Sequence, residues 1–284
     1  MATLLILRKR IKTTKNISKT TKAFQMIAAS RLKKAQEAAT SSMAYNVKLD
    51  SLAKSLTNKI DKDNLDEYMK TPLGINKKLL IVISPDKGLC GGLITNLIRE
   101  LLHYENNEKV FYITIGKKAE NAVKSLNKEI IASFPFGTSL PEFETVYTLI
   151  NLIDEYFLNH KVSEVKILST RFINAFSQTP KFNNLLPVRL EQEVEKLNTE
   201  VIFEPSISQL LPDLLQHYLE MTIYQSLLES YASEQAARMI AMKNATDNAL
   251  DMVLGLQLEY NKSRQEKITN ELLDIGGGSQ AAYE

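Results

Sequence analysis

Small and apolar residues recur in different ways along the chain. Towards the C-terminus, Ala232, Ala236, Ala241, Ala245 and Ala249 follow one another at steps of four, five, four and four. Near the N-terminus, Ala28, Ala35 and Ala39 form a similar stripe with Leu32 between them. Small side chains let two helix backbones approach closely, and a spacing near 3.5 residues keeps such a seam facing a partner helix. Between these ends the pattern changes. KKLLIVIS (77–84), KVFYITIG (109–116) and EVKILSTRF (164–172) are dense β-branched and aliphatic runs that read as strands. They alternate with GLITNLIRELLHY, KKAENAVKSL and the amphipathic FETVYTLINLIDEYFLNH (143–160), which read as helices. Strand–helix alternation of this kind predicts a mostly parallel sheet.

Proline and glycine set the lengths. Residues 1–71 contain neither, nor do residues 213–254, and all eight prolines lie between Pro72 and Pro212. Proline breaks helices and glycine weakens them, so both ends are free to form very long ones. One is expected from about Leu4 to Asn58. The other is expected to open at Pro212, a good first-turn residue, and to stop near Ile275, before Gly276, Gly277 and Gly278. At 1.5 Å per residue the second helix is about 95 Å long, more than a globular core of this size can bury, and such a pattern calls for a coiled coil or a partner. The expected fold class is α/β: long N- and C-terminal helices paired as an antiparallel coiled coil, with a central Rossmann-like α/β domain. The corresponding segments are 1–75, 76–208 and 209–284.

Composition narrows the chemistry. The chain has 284 residues and is 44% hydrophobic, enough for a core, which excludes wholesale disorder. A single cysteine, Cys90, excludes an intrachain disulfide and a cysteine-based zinc site, and fits a reducing compartment. His103, His160 and His217 are far apart, and no metal or cofactor is expected. The longest run without a charged residue, 130–141, is twelve residues with two prolines, short of the roughly 20 apolar residues a spanning helix needs. The apolar patch at the N-terminus precedes its basic residues, the reverse of a secretory signal. SPDKGLCGG (84–92) sits between a strand and a helix, where α/β proteins bind phosphates. It matches neither phosphate-loop pattern, so a tight structural turn with Cys90 as a small apolar filler is the preferred reading.

Charge is uneven. The whole chain carries 35 basic and 33 acidic residues, yet residues 1–40 hold ten basic groups and one acid, a local +9. A basic helix of this kind is a solvated face, or meets nucleic acid, a membrane surface or an acidic partner. Phe24 is the only aromatic residue before Tyr45, which argues against base stacking. Thr13, Thr14, Ser18, Thr20 and Thr21 alternate with the charges. So polar a helix is stable only when surrounded or paired, which suggests a rod inserted into something negatively charged.

Five stretches now carry a family match: RIKTTKNISKTTKAFQMIAASRLKKAQ (10–36), SPDKGLCGGLITNL (84–97), RFINAFSQTP (171–180), ASEQAARMIAMKNATDNA (232–249) and YNKSRQEKITNELLDIGGG (260–278). End to end, the sequence resembles the gamma subunit of the F-type ATP synthase. The resemblance implies a non-catalytic central-stalk rotor of a proton-translocating complex. Its helices would lie inside a hexamer of alternating alpha and beta subunits, and its α/β domain against the epsilon subunit and the c ring. Rotation of that ring would be coupled to ATP synthesis and hydrolysis at the beta subunits. The resemblance also implies no cofactor, no nucleic acid, membrane contact only through the c ring, and a peripheral place on the cytoplasmic face of a bacterial plasma membrane. Family contacts to the beta subunits map onto Lys22, Met26, Arg238, Arg264, Gln265, Thr269 and Glu271. Those to epsilon and the c ring map onto Val201, Phe203 and Glu204, within EVIFEP (200–205). Phe24 stands where the family commonly has Met, and the chloroplast version's regulatory cysteine pair is absent.

Overall fold

The computed structural model describes residues 2–57, 66–72, 74–104, 109–189 and 206–280. The elements are α1 (Ala2–Thr57), β1 (Lys77–Ile83), α2 (Leu93–His103), β2 (Lys109–Ile115), α3 (Lys117–Ser125), β3 (Ile130–Phe134), α4 (Glu144–Phe157), β4 (Glu164–Asn174), β5 (Ser177–Leu186) and α5 (Ile207–Gln280). The chain divides into two compact units, Met1–Ile27 with Arg238–Glu284, and Ala28–Ala237.

In the Ala28–Ala237 unit, the sheet order is β3-β2-β1-β4-β5, a Rossmann-like order. β1, β2, β3 and β4 are parallel, and β5 returns antiparallel to β4. Five consecutive residues of β1, Leu79–Ile83, are buried, as expected of a central parallel strand covered on both faces. Leu80, Val82, Tyr112 and Leu168 face Leu97 and Leu101 of α2 and Ala119 and Val123 of α3. Residues of the alternate register point to the other face. There Phe111 meets Tyr156 of α4 edge-on, with ring centroids 5.8 Å apart, and α4 buries Val146, Leu149, Ile150, Ile153 and Phe157.

The same unit holds the inner half of the helix pair. Residues 230–236 of α5 are all buried, so this stretch is covered all round. Three of its polar members are bonded: the Ser230 hydroxyl accepts from Thr170 N–H of β4 at 3.3 Å, that of Ser233 donates to Thr170 O at 3.3 Å, and that of Tyr231 donates to Thr138 O, in the loop after β3, at 3.1 Å. Across the helix pair, the Asn46 amide donates to Met221 O at 3.2 Å and the Gln225 amide to Ala39 O at 3.4 Å. Rising positions on α1 meet falling positions on α5, so the helices run antiparallel. Ala28, Leu32 and Ala35 of the α1 stripe and Ala232 and Ala236 of the α5 stripe are buried, as their spacing predicts, whereas Ala39, Ala241 and Ala245 are only half-buried.

In the Met1–Ile27 and Arg238–Glu284 unit, α1 buries Leu7, Thr14 and Ser18, while α5 buries Met242, Thr246, Ala249 and Val253. The steps of four and three on α5 are those of a coiled-coil seam. Part of the seam is polar. The Thr21 and Thr246 hydroxyls lie 2.7 Å apart, and Thr246 also reaches Met242 O at 2.8 Å, so one hydroxyl donates to the other and the buried oxygens are satisfied. Thr14 and Ser18 thus lie in the seam and Thr21 at its side, while Thr13 and Thr20 are exposed, which is why no apolar stripe marks that segment in the sequence.

Two boundaries and two elements differ from expectation. α5 starts at Ile207 rather than Pro212, because Ser206 O already accepts from Gln209 and Leu210 N–H. It runs past the three glycines to Gln280; glycine costs a helix only about 1 kcal/mol and does not forbid it. β3 and β5 were not expected. β5 is an edge strand, rich in polar residues, and accommodates Pro180 opposite Thr170.

Candidate functional site

At the carboxyl edge of the sheet, the turn 84–92 is filled by the chain's own groups. Asp86 accepts from Lys117 N–H at 2.9 Å and from Gly137 N–H at 2.8 Å, and Ser84 Oγ accepts from Ala119 N–H at 2.6 Å. The first amides of α3, which could otherwise face an anion, are therefore taken. Leu89 and Gly91 hold positive φ angles of 64° and 58°, and the bend they make turns Cys90 into the core. The bonds of Ser84 and Asp86 and the burial of Cys90 fit a structural turn.

At the amino edge, a basin of about 490 Å³ is lined by residues that include Lys77, Phe111, Tyr156, His160 and Lys161. Its cations are already engaged. Lys77 Nζ lies 5.1 Å from the Phe111 centroid and Lys161 Nζ 4.7 Å from that of Tyr156. Lys161 also donates to Glu155 at 2.8 Å, and this bond holds its ammonium above the usual lysine range.

A surface of exposed cations and exposed apolar residues lies on the Met1–Ile27 and Arg238–Glu284 unit. Arg8, Lys9, Arg10, Lys12, Lys15, Lys19 and Lys22 are all exposed. A groove of about 600 Å³ is lined by Ile6, Lys9, Arg10, Thr13 and Thr14 of α1 and Met252 and Leu256 of α5. On α5, Leu250, Leu254 and Leu258 recur every four residues and stay exposed, the last two at 60% and 72%. Ile268, Leu272 and Leu273 are exposed further along. An apolar stripe off the seam, beside a cationic ridge, is the chemistry of a surface covered by another protein.

Each beta-contact candidate of the sequence lies on this unit. Lys22 and Met26, one turn apart on α1, are both exposed, Met26 at 61%. Arg238 is half-buried at the unit's first α5 residue. Arg264, Gln265, Thr269 and Glu271 are exposed on the last turns. Thr269 donates back to Gln265 O at 3.0 Å, and Glu271 pairs with Lys267 at 3.2 Å, so the four are set on one regular helix rather than on a loop. Val201, Phe203 and Glu204 lie outside the described residues. The leucine stripe escaped the sequence reading, which followed alanine spacing. The off-seam period of LGLQLEY (254–260) was the signal available for it. Among the described residues no helix is long and apolar enough to cross a membrane.

A family model described as ATP synthase matches residues 3–282. An ATP synthase gamma chain of Dehalococcoides mccartyi (strain CBDB1) is 36% identical over 283 residues, 99% of each chain. That of Glaesserella parasuis serovar 5 is 38% identical over 285 residues, 97% of this chain and 98% of the relative. Among solved structures, a chain of the Euglena gracilis mitochondrial ATP synthase (OSCP/F1/c-ring, rotational state 3) superposes with a TM-score of 0.71 at 19% identity, covering 99% of this chain and 94% of that one. A chain of the Tetrahymena thermophila mitochondrial ATP synthase central stalk and c ring gives 0.60 at 23% identity, covering 80% and 99%. At these identities the structures speak for the fold.

Proposed function

The chain belongs to the ATP synthase gamma-chain family and is the central-stalk rotor subunit of an F-type ATP synthase, and we propose how its surfaces serve that role. Segments 1–75 and 209–284 form the axle, and 76–208 forms the body against which the rest of the central stalk assembles. Lys22, Met26, Arg238, Arg264, Gln265, Thr269 and Glu271 meet the catalytic beta subunits inside the alpha–beta hexamer. Val201, Phe203 and Glu204 meet epsilon and the c ring. The chain itself performs no chemistry on ATP. It lies peripherally on the cytoplasmic face of a bacterial plasma membrane and touches the membrane only through the c ring.

The observation that carries this reading is the exposed leucine stripe beside the cationic ridge, on the same unit as all seven candidate contacts. A rotor acts by presenting unlike faces to identical neighbours. Along α1 this unit offers seven exposed cations, none of them ion-paired among the described residues, and along α5 it offers exposed leucines. Each orientation then makes different contacts with a given catalytic subunit, and only differential contacts shift a partner's conformational equilibrium. Arg264 supplies a forked donor for carboxylates, and the exposed amide of Gln265 and hydroxyl of Thr269 reach loop backbone.

A covalent clamp tests the contact. The only native thiol, Cys90, is buried, so Gln265→Cys introduces a single accessible one. In the assembled complex, a disulfide between Q265C and a second cysteine placed in the facing loop of a beta subunit, formed with an added oxidant, is expected to abolish ATPase activity, and reduction to restore it. A cross-linked complex that turns over at its original rate would overturn the axle reading.

A further inference from the structure

The basin at the amino edge of the sheet includes none of the axle's candidate contacts. Three separate elements build it: Asn76 and Lys77 where the chain enters β1, Phe111 of β2, and Tyr156, His160 and Lys161 at the end of α4. Asn76, Lys77, His160 and Lys161 are exposed, while Phe111 and Tyr156 are half-buried, so a polar rim stands over an aromatic floor. None of the described residues that line it is acidic.

The backbone fixes this rim. Lys77 O accepts from Ser163 N–H at 2.8 Å and from the Ser163 hydroxyl at 3.2 Å, which ties the start of β1 to the loop after α4. His160 holds a φ of 53°, the left-handed step that commonly closes a helix. Its N–H donates to Phe157 O at 3.0 Å, and Tyr156 O accepts from Lys161 and Val162 N–H at 2.9 and 3.2 Å. These carbonyls, the negative end of the helix, are thereby offset by the chain's own amides.

The ammoniums are placed without being neutralised. Lys77 Nζ sits over Phe111 and Lys161 Nζ over Tyr156, and the two rings meet edge-on. A ring face attracts a cation but carries no net charge to cancel it. Among the described residues Lys77 has no ion pair, and Lys161 spends one of its three donors on Glu155. Glu164, at the start of β4, is held between Lys78 and Lys166 at 3.3 and 3.0 Å, and Lys78 points to the strand face opposite Lys77. Lys109 is the register neighbour of Lys77 on β2, and like charges side by side repel. An anion in the basin would relieve that repulsion.

We propose that this basin binds a phosphate group, with Lys77 and Lys161 as its charge partners and Asn76 and His160 as further donors. A phosphate monoester carries about −1.5 to −2 charges at pH 7 and three strong acceptor oxygens, which lets it engage donors from the start of β1 and the end of α4 at once. A carboxylate offers one charge and two oxygens. At about 490 Å³ the basin admits the free ion or the headgroup of a phosphate-bearing lipid, two sources of the same chemistry.

Both sources are tested on the full chain at constant ionic strength, since salt screens exposed charges. In calorimetry, inorganic phosphate is expected to bind saturably in or below the millimolar range. Lys77→Gln should weaken it about tenfold, the scale of one hydrogen bond to a charged group, and Lys77→Arg should retain it. Lys181→Gln removes an exposed lysine of the edge strand β5 and is expected to leave binding unchanged. Phosphatidylcholine vesicles with and without phosphatidic acid form the second arm. Sedimentation with the phosphatidic acid vesicles alone, lost in Lys77→Gln, would identify the lipid as the carrier. No saturable binding in either arm, or equal losses in Lys77→Gln and Lys181→Gln, overturns the proposal.

Discussion

Replacing Arg264 and Gln265 together by alanine is expected to lower the ATPase activity of the assembled complex about tenfold or more, while the isolated chain keeps its helicity and melting temperature. Both residues are exposed near the end of α5, and neither side chain is engaged by another described residue. Surface truncations of this kind usually change stability by no more than about 0.5 kcal/mol. At an interface the balance differs, since hydrogen bonds to charged groups are worth about 1.5–3 kcal/mol and arginine is enriched among the residues that dominate binding. If contacts of that size form at only some rotor angles, their loss appears in the barrier, at about 1.4 kcal/mol per tenfold in rate. Circular dichroism of the isolated variant and turnover of the reconstituted complex separate the two outcomes. Unchanged turnover would remove these residues from the beta contact.

The largest effect on folding is expected at Gly116. It follows β2 and opens α3 with φ at 97°, a region L-residues avoid. A Cβ there would stand 2.0 Å from Ser84 O and 2.9 Å from Ser84 C. Ser84 cannot give way easily. Its N–H donates to Ile115 O at 2.8 Å, and its hydroxyl accepts from Ala119 N–H at 2.6 Å. Gly116→Ala therefore combines backbone strain of about 1–3 kcal/mol with overpacking of about 1–3 kcal/mol. The melting temperature should fall by about 10 °C, taking about 2–4 °C per kcal/mol for a domain of this size. Gly137 is the control. Its φ is also positive, at 81°, but nothing lies within 4 Å of its added Cβ, so Gly137→Ala should cost only the strain. Equal losses at the two positions would show that the Ser84 contact does not matter.

How much of this was legible in the sequence depended on how each element is buried. β1, β2 and β4 are interior parallel strands with apolar residues on both faces, and their runs name them directly. β5 pairs on one side only, so SQTPKFNNLL can keep its polar residues and Pro180, and nothing in its pattern announces a strand. The long helices were visible from missing proline and glycine, and their pairing from alanines such as Ala35 and Ala236. The seam near the N-terminus was not, because buried Thr14 and Ser18 stand there in place of apolar residues and Thr21 meets Thr246 through its hydroxyl. The candidate contacts were legible only through family resemblance. An exposed Arg264 or Gln265 looks locally like any solvated helix position. Leu250, Leu254 and Leu258 carried a signal of their own, hidden because their four-residue step overlaps that of the buried Ala249 and Val253.

Rotation of the chain within the assembled complex is the most direct test of the axle. With the alpha–beta hexamer fixed to a surface and a bead attached to this subunit, addition of ATP is expected to turn the bead in one direction, in discrete steps that stop when ATP is removed. A complex that hydrolyses ATP at full rate while its bead stays at a fixed angle would contradict it.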